Sequence, residues 1–158
     1  MQTSEKNWLE KLADKIPGLS GYQAREGRRD TDKRLREYLA SQLDHVIDRV
    51  EAAKLALTNQ GNLAALNDVG LLQRRLQGLR DAIRFATYGY SGLFDQVKVR
   101  ESELDQVYAH DMKMVDVVES LKKLVEDPGH TPADALAAVQ TLDELVAERK
   151  HLWDNPQA

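Results

Sequence analysis

Along most of the chain, apolar residues return at steps of three and four. That spacing puts them on one side of an α-helix. In the first run, residues 4–16, Trp8, Leu9, Leu12, Ala13 and Ile16 share a face behind a capping Ser4, and Pro17–Gly18 ends it. The second run covers at least 31–60. Leu35, Leu39, Leu43, Val46, Val50, Ala53 and Leu57 recur there at steps of 4, 4, 3, 4, 3 and 4, a near-heptad seam suited to a partner helix. Gly61 follows, able to take the left-handed conformation that closes a helix. The third run, 62–87, carries Leu66, Val69, Leu72, Leu76, Leu79, Ile83 and Ala86, with Gly70 and Gly78 inside the pattern at a cost in helix stability.

A fourth helix is predicted over 102–127, with Ser102 as cap and Val107, Met114, Val118, Leu121 and Val125 as its core face. "EDPGHTP" breaks the chain. Thr131, Pro132 and Asp134 then supply a cap, a first-position proline and an acidic first turn for a fifth helix over 132–153. Its stripe is Leu136, Val139, Leu142, Val146 and Trp153. No strand signal is comparable. Helices two to five are of similar length, and two of their three connections are very short, which forces antiparallel neighbours. The expectation is a single all-α domain over 1–158: an antiparallel up-down-up-down four-helix bundle with a short additional N-terminal amphipathic helix. A long three-helix bundle with a mobile fifth helix is the competing arrangement.

Folding the second and third helices about Gly61 places residue 34 near 89 and residue 36 near 87. The segment "GYQAREGRRDTDKRLRE" therefore meets "FATYGYSGLFDQVKV" at one end of the bundle. The second segment is unusual in an otherwise charged helical chain. Four of the nine aromatic residues, Phe85, Tyr88, Tyr90 and Phe94, fall within ten positions of it. Its plain reading is a cover for the open end of the core, with Phe94 buried and the tyrosine hydroxyls kept wet. Its functional reading is a docking surface formed by Tyr22, Arg25, Arg29, Arg34, Tyr88, Tyr90 and Phe94. The arginine run reads first as a solvated helix start laced with i,i+4 pairs. An anionic lipid surface or an acidic partner is the alternative.

Composition narrows the function more than it names it. The chain has 158 residues, a net charge of −4 and no cysteine, which excludes thiolate metal sites, disulfides and cysteine nucleophiles and makes general nucleic-acid attraction a poor fit. No apolar run approaches the roughly 20 residues of a membrane span. The charged start "MQTSEKNWLEKL" is unlike a signal peptide, so a cytoplasmic location is expected. Glu148 and His151 make one Glu-x-x-His, where a di-metal bundle needs two such pairs and two further carboxylates. His45, His110 and His130 have no glutamate at that spacing. "GYSG" matches neither a phosphate loop nor a nucleophile elbow, and nothing implies a cofactor. Asp111 alone interrupts an apolar stripe, between Val107 and Met114, so a buried carboxylate paired with Arg, His or Tyr of a neighbouring helix is expected.

The phrases "IPGLSGYQAREGRRDTDKRLREYL" and "YGYSGLFDQVKV…LDQVYAHD" resemble an uncharacterised prokaryotic family of helical proteins. In that family an I-P-G-x-x-G-Y element precedes an arginine-rich helix start, and a Y-G-Y-x-G-x-F-D element follows. The resemblance implies a bacterial or archaeal cytosolic protein whose two segments belong together, and it transfers no catalytic residue. The expected function is a non-enzymatic interaction or scaffold module with a protein partner, self-association included. A peripheral membrane-surface protein using the first helix and the arginine run is the alternative.

Overall fold

The computed structural model describes residues 10–19, 25–86, 101–127 and 129–154, with 25–30, 101–105 and 150–154 as helix backbone only. Among these residues the chain is all helix and turn, with no strand. A short α1 spans residues 10–15. It is followed by α2 (Arg25–Asn59), α3 (Leu63–Arg84), α4 (Glu101–Glu126) and α5 (Pro132–Asp154). No described helix is long and apolar enough to cross a membrane.

The predicted turns form for the predicted reasons. At the end of α2, the Asn62 amide donates to the Leu57 carbonyl and the Gly61 amide to Thr58, with Gly61 at φ 70°. This double bond around a left-handed glycine is a Schellman closure. Asn62 then caps α3, its side chain accepting from the Ala65 amide at 3.3 Å. At the start of α5, Thr131 Oγ1 accepts from the Asp134 amide, and the Asp134 carboxylate accepts from the Thr131 amide, satisfying two otherwise orphaned donors. Three boundaries differ from expectation. α3 ends at Arg84, with Phe85 as its cap, three residues before the expected 87. α2 begins by Arg25, six residues before the start that periodicity marks, because the charged run "REGRRD" continues the helix without an apolar stripe to show it. Ser102 lies inside α4, which already includes Glu101, so it does not cap that helix.

The core takes in the middle of each predicted stripe, while Ala53, Leu57, Leu66, Val125, Leu136 and Val146 are half-buried and Trp153 has no described side chain. Leu35, Leu39, Leu43, Val46 and Val50 of α2 are buried with Val69, Leu72, Leu76, Leu79 and Ile83 of α3. Met114, Val115, Val118 and Leu121 of α4 and Ala135, Val139 and Leu142 of α5 complete the cluster. α2 packs on α3 and α4, and α5 on α4 and α3, so the fifth predicted helix is an integral part of the core. Along α2 and α3 the numbers run in opposite senses: Asp44 meets Arg80 and Arg84, while Glu51 and Lys54 meet Gln73. α1 docks on this body. Leu12 and Ile16 are buried, as is Leu19 just beyond, and Lys15 Nζ reaches Glu119 at 2.8 Å and Asp116 at 3.3 Å on α4.

Candidate functional site

The hairpin register sets Leu39 roughly level with Arg84, so residues 25–38 of α2 extend beyond the end of α3. This overhang still buries side chains: Thr31, Asp32, Leu35 and Arg36 are each at most 6% exposed. What lies against it is ionic. The Arg149 guanidinium of α5 donates Nε–H to Asp111 Oδ1 at 2.7 Å and Nη2–H to Asp111 Oδ2 at 3.5 Å. The same Nη2 donates to Asp32 Oδ1. Asp32 Oδ2 accepts from Arg36 Nε at 2.9 Å, and Arg36 Nη1 donates to the Arg84 main-chain carbonyl at 3.1 Å. Among the described residues, two carboxylates and two guanidiniums thus join all four long helices at one level, equal in number.

Balance matters because each ion has left water. An unpaired buried carboxylate or guanidinium costs several kcal/mol, and a fork-shaped guanidinium between two carboxylates is the geometry that offsets this. Burial pushes the Asp111 carboxyl above the ordinary aspartate range, against the pull of Arg149. Burial likewise opposes the charge on Arg149, but Asp111 and Asp32 outweigh it and hold the guanidinium proton more tightly than usual. Beside this cluster His110 is buried, with Nε2 2.6 Å from the Leu145 carbonyl and Nδ1 3.8 Å from Glu148. A carbonyl oxygen only accepts, so Nε2 is the protonated nitrogen.

Asp111 therefore stands where its position in the stripe puts it, buried and paired with an arginine of a neighbouring helix. The arginine run is corrected in part. Asp32 and Arg36 were expected in a solvated helix start and are buried, because the hairpin alone gives no sign that α4 and α5 extend alongside the overhang. Lys33 and Glu37 do form an exposed i,i+4 pair, and Arg34 is exposed. Arg25 and Arg29 lie in α2 with side chains outside the described ones. Tyr22, Tyr88, Tyr90 and Phe94 lie outside the described residues, and with them the expected burial of Phe94 beside exposed tyrosines.

Sequence reasoning missed Arg149, His110 and the role of Asp32, although the signal that picks out Asp111 applies to each. Arg149 fills the step between Val146 and Trp153, Asp32 stands three residues before Leu35, and His110 three after Val107. Asp111 and these three are polar residues at apolar-stripe positions, and only together do Asp32, Asp111 and Arg149 read as one buried ionic set, with His110 beside it. Among the described residues, no three His, Asp or Glu side chains are placed to hold a metal ion. The Glu148 side chain is 65% exposed and faces His110. Comparison of the chain with protein-family models, curated proteins and solved structures finds no match.

Proposed function

We propose that the chain is a non-enzymatic interaction or scaffold module of the cytoplasm. In this reading it is built as an up-down-up-down four-helix bundle and docks a protein partner at the end formed by the 22–36 and 85–99 segments. The bundle topology is supported by residue correspondences. Asp44 with Arg80 and His110 with Leu145 pair helices in opposite senses, while Asp32 with Arg149 and Gln42 with Lys122 set α2 beside the other hairpin.

The observation that carries the docking reading is the hydrogen bond from Arg36 Nη1 to the Arg84 carbonyl. It ties the arginine-rich start of α2 to the last residue of α3, immediately before the aromatic stretch, so the chain leaves α3 beside the arginine run. The buried ionic cluster behind these residues makes a rigid base for a recognition surface, and Arg34 is exposed on it. The lipid-surface alternative draws on the apolar face of the first helix. Leu12 and Ile16 of that face are buried against the other helices, which weighs against it.

The test is capture from the source organism's lysate by immobilised wild-type chain, Tyr90→Ala, and Leu63→Ala at the opposite end, where Leu63 is 74% exposed. A partner retained by wild type and Leu63→Ala but depleted with Tyr90→Ala is expected. Equal retention by all three contradicts the proposed end. Salt-sensitive flotation with anionic vesicles, lost on removing the arginines, favours the lipid surface instead.

A further inference from the structure

The outer face of α3 carries Leu71 and Gly78, and its C-cap Phe85 continues the line at the same seven-residue interval, opposite the buried line from Val69 to Ile83. Seven residues are two turns, so the three lie along one stripe. Phe85 is 68% exposed and Leu71 37%, large apolar side chains left in water. Gly78 between them has no positive φ, and a Cβ built there meets nothing within 4 Å. Neither backbone conformation nor crowding within the chain calls for glycine at this position, although glycine inside a helix is less stable than alanine.

We propose that this face binds a second copy of the chain, α3 packing antiparallel on α3 about a twofold axis at Gly78. Leu71 and Phe85 each lie seven residues from Gly78, so the symmetry sets Leu71 of one copy against Phe85 of the other, twice. The two glycines meet on the axis, where the missing side chains let the helices approach closely. Across such an axis the same flank of each helix meets itself. Arg74 and Asp81 lie on one flank, four residues before and three after Gly78, so Arg74 of each copy comes within one residue of level with Asp81 of the other. Both are exposed. Asp81 Oδ1 already accepts from Arg80 of its own chain at 3.0 Å, so Arg74 of the other copy joins a half-exposed carboxylate that keeps that bond. A parallel pairing about the same stripe would put the two Arg74–Asp81 flanks on opposite sides of the contact, with no opposite charges facing across it. The antiparallel one is self-complementary in size and charge, the property an isologous interface requires. The stripe is about 21 Å long. One helix pair buries less than the roughly 1,600 Å² of a standard interface, so the dimer is reversible and concentration-dependent. Phe85 is also the first residue of the 85–99 segment of the docking end, but the pairing needs neither Tyr90 nor the arginine run, so the two readings fail separately.

Sedimentation velocity of the full chain from about 10 μM to 1 mM, the range for so small an interface, tests it. The sedimentation coefficient should rise with concentration. Phe85→Ala and Arg74→Asp should each keep the chain monomeric where wild type is dimeric, and Arg74→Asp with Asp81→Arg should regain the dimer. Melting temperatures at low concentration should stay unchanged. Because the chain has no cysteine, Gly78→Cys supplies a single thiol that should cross-link rapidly on mild oxidation, unlike Ala137→Cys on the exposed side of α5. A wild-type chain that is monomeric throughout overturns the proposal. So does a dimer that survives Phe85→Ala and Arg74→Asp, or a Gly78→Cys chain that cross-links no faster than Ala137→Cys.

Discussion

Arg149 shows what one buried charge asks of its neighbours. It holds Asp111 and Asp32 at once, and Arg36 balances the second carboxylate from the other side. Replacing Arg149 with Met should destabilise the chain by about 3–5 kcal/mol in denaturant unfolding, because buried Asp111 then loses the Arg149 guanidinium while Asp32 keeps only Arg36 of the pair. A loss below about 1 kcal/mol would mean the cluster opens to water. The cluster also predicts a pH effect. Burial raises the folded-state value of Asp111, so folding favours its protonated form. Stability from this site is complete below the unfolded carboxyl value, near 3.8, and is lost as pH rises through the folded one. The stability of wild type minus that of Asp111→Asn should therefore increase as pH falls from neutral toward that value. Asp44 works the other way: although burial opposes it, Arg84 and Arg80 hold its carboxyl below the usual range. Its contribution is present above the ordinary value and lost as pH falls through the lowered one, and the subtraction cancels it.

At the scale of elements, stripe and cap chemistry carried most of the information. Leu76 sits midway along α3 and is completely buried. Leu76→Ala should cost about 2–5 kcal/mol, read as a shift in denaturant midpoint, and less than about 1 kcal/mol would displace the α2–α3 register. Thr131→Ala should cost about 0.5–2 kcal/mol, because the Asp134 amide loses its acceptor at the start of α5. These residues were legible because each does locally what its type favours. The start of α2 was not, since residues 25–30 extend the helix with charged side chains and glycine, leaving periodicity nothing to count. Arg149 and Asp32 were illegible one at a time, because a polar residue on a stripe acquires meaning only when its partner helix is known. The register about Gly61 was legible, and the contact of Arg36 with Arg84 agrees with it; the aromatic residues of the candidate surface lie outside the described ones.

For the whole molecule, the reading we propose sets the docking end over the buried cluster. α2 overhangs α3, α4 and α5 brace the overhang through Asp111 and Arg149, and the chain leaving α3 emerges beside it. A partner surface placed there would rest on buried polar contacts, so variants at the surface should change binding without changing stability. The most direct measurement is calorimetric titration of the captured partner, once purified, into wild-type and Tyr90→Ala chains of matched melting temperature. A hot-spot tyrosine predicts at least about tenfold weaker binding by Tyr90→Ala, with the melting temperature unmoved. Equal affinity for the two chains would contradict the docking end.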